Sequence, residues 1–137
     1  MKLVITPKPL QGSVTPPPSK SLAHRALIAA FLAGEAPPLP DLPESQDILA
    51  TRDCLNALWD GRPMDCRESG STLRFLIPVA LALRGEGAFT GRGRLMERPQ
   101  TPYFEIFHEK NIFFAQKDHI LTLKGRLPPG QYRLPGN

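Results

Sequence analysis

The sequence predicts an α/β (α+β) fold assembled from repeated units, and three observations carry that expectation. Helix-like and strand-like segments alternate along the 137 residues, a length that supports one sizeable core. The 16 prolines cluster at joints such as residues 16–18 and 128–129, so they punctuate elements and do not form a low-complexity tract. Third, the chain repeats itself. "SLAHRALIAAFLAGEA" (21–36) and "STLRFLIPVALALRGEGA" (71–88) share a serine start, an early arginine, an apolar helix and a Gly-Glu exit. The period is about fifty residues, as stacked α/β units require.

Taken in order, residues 3–5 and 12–14 read as short strands divided by Pro7 and Pro9. Residues 21–33 read as a helix, with Ser19 or Ser21 as cap and Gly34 at the stop. Residues 45–59 form a second, apolar at Ile48, Leu49, Leu55, Leu58 and Trp59 and ending before Gly61. A third spans 71–83. It contains Pro78, which removes one backbone hydrogen bond and is expected to bend the helix. Residues 88–90 are strand-like. Residues 102–110 read as a fourth helix burying Tyr103, Phe104 and Phe107, with Asn111 as a left-handed cap. "IFFAQKDHILTL" then alternates into a hairpin turning at 116–118.

Composition narrows the function classes. The net charge of +4 suits an anionic partner. The basic residues are scattered and not interleaved with aromatics, which argues against a nucleic-acid stacking platform. The apolar run at 26–33 is far too short to span a bilayer. Cys54 and Cys66 lack the spacing of a zinc site. Together with the absence of a signal-peptide core at the start, these features predict a cytoplasmic, reduced, soluble protein with no membrane partner and no metal.

The polar residues gather at helix starts. A helix's first turn leaves N–H groups unpaired and carries partial positive charge. At the first helix, Lys20 and Arg25 add to that charge, and Ser21 and Arg25 share a face. Such a cluster suits a phosphate or carboxylate, although an ordinary capped helix with solvated Lys and Arg explains the spacing equally well. "ESGSTLR" (68–74) offers a second start, where Gly70 lets a ligand approach the backbone and the amides of Ser71 and Thr72 point outward. A third is "GRGRLMERPQTP", with Arg92, Arg94 and Arg98. Three basic helix starts in one repeat array predict a ligand with more than one anionic group.

In this order and spacing, "PPSKSLAHRALIAAFLAG", "ESGSTLRFLIPVALAL" and "RLMERPQTP" resemble the front part of the 5-enolpyruvylshikimate-3-phosphate synthase family, the 3-phosphoshikimate 1-carboxyvinyltransferases. The resemblance covers essentially the whole chain. It implies repeated βαβαββ units of the enolpyruvyl transferase fold, about two of them here, at 15–67 and 68–137 in the first lobe. Residues 1–14 would belong with a missing second lobe, and without it their edges are expected to be unpaired. The implied reaction is enolpyruvyl transfer from phosphoenolpyruvate to the 5-hydroxyl of shikimate 3-phosphate, releasing phosphate, in aromatic amino acid biosynthesis. No cofactor is implied.

By that resemblance, Lys20 would sit between the substrates and touch phosphoenolpyruvate. Ser21 and Arg25 would hold shikimate 3-phosphate, Gly70 and Ser71 would line the phosphoenolpyruvate pocket where glyphosate competes, and Arg98 would clamp its anionic end. The acid/base carboxylates would come from the second lobe, so the chain alone is expected to be inactive. The commoner family pattern has Asn-Ala before the glycine and a proline after the arginine, whereas this chain has Glu68, Ser69 and Phe75. Two alternatives stay open: the sister transferase acting on UDP-N-acetylglucosamine, whose early lysine sits in a Lys-Asn setting, and a non-catalytic anion-binding domain. His24 reads as a solvated helix-end histidine, with orienting a ligand phosphate as the alternative, His108 and His119 as surface residues, Cys54 and Cys66 as packed, and Asp47 as favourable for its helix dipole. Phe113 and Phe114 read as core or as contacts of the missing lobe.

Overall fold

A computed structural model describes residues 3, 4, 7, 9, 11–16, 19–34 and 45–133. Helix α1 (Lys20–Leu32) starts at Ser19, whose side chain accepts from the Leu22 amide. Its buried positions Ala23, His24, Leu27 and Phe31 follow a helical repeat. Helix α2 (Gln46–Asp60) is capped by Ser45 and ends at left-handed Gly61 (φ 71°), with the Arg62 amide returning to the Ala57 carbonyl. Three residues, 61–63, then lead straight into strand β1 (Met64–Asp65).

The next elements are α3 (Gly70–Leu83), β2 (Glu86–Thr90), a short 3-10 turn (Leu95–Glu97), α4 (Thr101–Glu109), β3 (Phe113–Lys117) and β4 (Ile120–Lys124). The sheet order is β1-β2-β4-β3; β1 runs parallel to β2 and the other pairs are antiparallel. From β1 onward the order is therefore β-α-β-α-β-β. One sheet face is apolar: Met64 pairs with Phe89, Phe89 with Leu121, and Leu123 lies opposite both Gly87 and Phe114. Met64, Phe89, Leu121 and Leu123 are buried in one cluster with Leu73, Leu76, Ile77 and Leu81 of α3 and Leu55 and Leu58 of α2. Gly87 leaves room for this packing, because a Cβ there would come 3.0 Å from the Phe89 ring and 3.2 Å from Ala80. Helix α4 adds Phe104, stacked on Phe114 of β3 at 4.5 Å.

The helices expected at 21–33, 45–59, 71–83 and 102–110 and the strand at 88–90 are present with end shifts of one or two residues. Asn111 is left-handed (φ 54°) as expected. The hairpin turn lies later than 116–118: β3 continues to Lys117, and Asp118 and His119 form a two-residue turn with positive φ. No glycine marks it, so the sequence pattern pointed to the wrong residues. The strands expected at 3–5 and 12–14 are not strands at the described positions, and Leu3, Val4 and Val14 are exposed. A short segment forms a ladder only against a partner strand, and none pairs with these among the described residues. Trp59 is half exposed at the end of α2, edge-on to Phe31, and Phe113 is exposed. Ile5, residues 17–18, the Glu35–Ala36 exit and the end at Asn137 lie outside the described residues.

Pro78 sits inside α3 and has no N–H to give the carbonyl of Arg74 one turn earlier. That carbonyl instead accepts from Tyr103 Oη of α4 at 2.7 Å. The proline thus creates an acceptor and α4 supplies its donor. Tyr103→Phe is expected to lower stability by about 1 kcal/mol in urea unfolding. In a Pro78→Ala background, where the helix regains its own donor, the same change is expected to cost much less. Equal costs in both backgrounds would refute this coupling.

Candidate anion site at three helix starts

The first turns of α1, α2 and α3 are joined, with α2 packed on both neighbours. His24 of α1 is buried, with Nδ1 2.7 Å from Thr51 Oγ1 of α2. Thr51 Oγ1 is 2.7 Å from Thr72 Oγ1 of α3, which donates to Ser69 Oγ at 2.8 Å. Ser69 also caps α3, accepting from the Thr72 amide. The Asp47 carbonyl lies 3.2 Å from both threonine hydroxyls. The expectation of a solvated His24 is therefore wrong: the ring is enclosed, edge-on to Phe75, and its hydrogen bond satisfies it there. Sequence pattern alone missed Thr51 and Thr72. The one available signal was their polarity at core-facing helical positions.

Lys20 opens α1 and its Nζ lies 3.3 Å from the Asp47 carboxylate. Asp47 therefore holds the lysine as well as favouring its own helix start. The pair is largely exposed, so a ligand anion competes with it at little cost. Ser21 is exposed, and its carbonyl accepts from Arg25 Nη1 at 2.8 Å. The Arg25 guanidinium also lies 5.4 Å from the Phe75 ring centroid, so the phenylalanine that departs from the family pattern orients an arginine.

Gly70 is the first residue of α3, and Ser71 beside it is exposed. A Cβ on Gly70 would stand 3.1 Å from Arg98 Nη1, so the guanidinium lies directly over the bare backbone. The cap takes the Thr72 amide, which corrects the expectation that it points outward; the amides of Gly70 and Ser71 remain at the tip. Arg98 ends the 3-10 turn and borders an open depression of about 310 Å³ with Arg94, Glu97 and Pro99. Of the three arginines expected to cluster, Arg94 and Arg98 border the same depression, whereas Arg92 turns to Asp65. Arg92 pairs with Asp65 at 2.8 Å and Arg94 with Glu97 at 3.3 Å. Among the described residues no carboxylate pairs with Arg98, Arg25 or Arg74.

The structure thus brings Arg98 against Gly70, next to Ser71 in the chain, and ties the turn bearing Lys20 to that of Gly70 through Asp47. Cys54 and Cys66 are buried thiols 4.0 Å apart, and the hydrogen bond with Cys54, reinforced by burial, pushes the Cys66 thiol far up, which disfavours the reactive thiolate. His108 and His119 are exposed. Among the described residues, no group of three potential metal ligands occurs and no helix is long and apolar enough to cross a membrane.

The family model for EPSP synthase (3-phosphoshikimate 1-carboxyvinyltransferase) matches residues 4–62. The whole chain aligns with proteins of the same name. It is 38% identical to 3-phosphoshikimate 1-carboxyvinyltransferase of Clostridium beijerinckii, covering 98% of this chain and 38% of the relative. The Clostridium perfringens enzyme is 38% identical over 99% of this chain, and that of Clostridium kluyveri 39% identical over 100%. The chain spans 38% of the length of each of these EPSP synthases. The first alignment runs over 164 positions against 137 residues here, so that relative carries residues with no counterpart in this chain.

Burial holds the His24 pKa below the ordinary histidine value; Asp47 opposes this, while Lys20 and Arg25 reinforce it. The unfolded chain therefore binds the proton more readily than the folded one. Stability is full above the ordinary histidine range and is lost as pH falls through it towards the depressed folded value. In urea unfolding between pH 7.5 and 5, His24→Asn is expected to flatten this loss. An unchanged pH slope would refute the assignment to His24.

Proposed function

We propose that this chain is part of the first lobe of a transferase that moves the enolpyruvyl group from phosphoenolpyruvate to the 5-hydroxyl of shikimate 3-phosphate in the cytoplasm. The observation that carries the reading is the Arg98 guanidinium over the bare backbone of Gly70 at the start of α3, with the Lys20 turn tied to that start through Asp47. Bare backbone amides, a helix dipole and a guanidinium favour a phosphate or carboxylate. In this reading Arg98 and the α3 tip hold phosphoenolpyruvate, Lys20 stands between the two substrates, and Ser21 and Arg25 take shikimate 3-phosphate. The reaction protonates the methylene of phosphoenolpyruvate, adds the hydroxyl to the adjacent carbon and expels phosphate. The residues here hold charge and exclude misorientation, while the proton-transfer groups come from a second lobe. The chain alone binds without turnover, and its partner is a small anion, not a polynucleotide or a bilayer.

The same reading accounts for the architecture. The run β1-α3-β2-α4-β3-β4 is one βαβαββ unit, and α1 and α2 are the helices of the unit before it. After α4 the chain makes the β3–β4 hairpin, but after α2 it passes through only residues 61–63 to β1. The residues that the relatives carry in excess would then form the hairpin closing the first unit, and residues 1–14 would pair with the second lobe.

Calorimetric titration with shikimate 3-phosphate and phosphoenolpyruvate tests the function. Lys20→Ala, Arg25→Ala and Arg98→Ala are each expected to weaken binding about tenfold, the scale of one charge-assisted contact. Gly70→Ala is expected to displace Arg98 and weaken phosphoenolpyruvate alone. Binding of UDP-N-acetylglucosamine in place of shikimate 3-phosphate, or tight binding of polynucleotide only, would contradict the reading.

A further inference from the structure

The polar run behind the three helix starts is continuous. It begins at His24 Nδ1 on α1, passes Thr51 Oγ1 on α2 and Thr72 Oγ1 on α3, and ends at Ser69 Oγ, the cap of the turn that presents Gly70. Lys20 lies one turn before His24 on the same helix, and its partner Asp47 offers its main-chain carbonyl to both threonines. Arg98 lies over Gly70 at the far end. Thr51 and Thr72 are fully buried, and Ser69 and His24 nearly so. Apolar packing alone leaves helices free to shift by fractions of an ångström, whereas hydrogen bonds between fixed atoms set one register.

We propose that His24 is a positioning residue of the anion site, acting through Thr51, Thr72 and Ser69 to fix the turn bearing Lys20 against the turn bearing Gly70. The inference rests on the anion-binding reading of these turns. It assigns His24 no contact with the ligand: the ring anchors one end of the run and the α3 cap is the other. A side chain that keeps a hydrogen-bonding atom near the Nδ1 position preserves the function, and an apolar one of similar bulk does not. Interrupting the run at Thr72 has the same effect as interrupting it at His24.

The test is titration of the 137-residue chain with phosphoenolpyruvate, followed by amide NMR at Lys20, Gly70 and Ser71, with thermal unfolding recorded for every variant. His24→Asn is expected to bind within about threefold of the parent, since its amide reaches the same partner. His24→Leu and Thr72→Val are each expected to weaken binding about tenfold, near 1.4 kcal/mol, and the double variant no more than either alone. Should His24→Leu fail to fold, the buried but conservative Thr72→Val carries the same comparison. Folded His24→Leu or Thr72→Val binding as well as the parent would overturn the inference, as would additive losses in the double variant. A parent that shows no shift at Gly70 and Ser71 overturns the anion-site reading itself, a result distinct from parent and variants binding alike.

Discussion

A run of buried hydroxyls, with a histidine at one end and a helix cap at the other, governs this structure. It joins the second turns of α1 and α2 to the first turn of α3, just behind the helix starts, where each helix has unpaired N–H groups and a partial positive charge. Three like dipole ends side by side, with Lys20, Arg25 and Arg98 nearby, repel one another in the absence of an anion. Hydrogen bonds that cross between the helices offset that repulsion and keep the turns together. Asp47 helps from outside, through its carboxylate on Lys20 and its carbonyl on the threonines. The opposite ends are held by exposed contacts instead, Arg84 donating to the Trp59 carbonyl and Trp59 edge-on to Phe31, and Leu32, Trp59 and Leu83 are exposed there.

The apolar core holds this arrangement from behind. Leu55 and Leu58 of α2, the apolar face of α3 and one face of the sheet form one buried cluster, so the polar turns stand on a packed base. Pro78 could have weakened that base, yet the carbonyl it leaves free is used to dock α4 through Tyr103. The 3-10 turn carrying Arg98 lies between β2 and α4, so the sheet and this docked helix together set where the guanidinium stands. The arginine nearest Gly70 is consequently placed by tertiary packing and not by its own helix.

Much of this was legible in the sequence, for local reasons. Serines before apolar repeats, Gly61 after the second helix and an apolar period of 3.6 located four helices, because caps and periodicity are read within one segment. The site residues Lys20, Ser21, Arg25, Gly70, Ser71 and Arg98 were found as polar groups at helix starts. The failures were those where partners lie far along the chain. His24 looked solvated because nothing local reveals Thr51, 27 residues away. Arg92 looked like a ligand group because Asp65 was not known to reach it. The two-residue turn at Asp118 and His119 was missed because residues other than glycine adopt positive φ there. Short strands at the beginning were expected from composition alone, and a strand exists only with a partner.

The most direct measurement is a crystal structure of the 137-residue chain grown with phosphoenolpyruvate. Expected is a bound anion on the amides of Gly70 and Ser71, within hydrogen-bond distance of Arg98, with the His24, Thr51, Thr72 and Ser69 contacts intact. An anion seated instead beside Arg92 or Arg94, or an α3 tip left empty at saturating ligand, would contradict the assignment of these helix starts as the binding site.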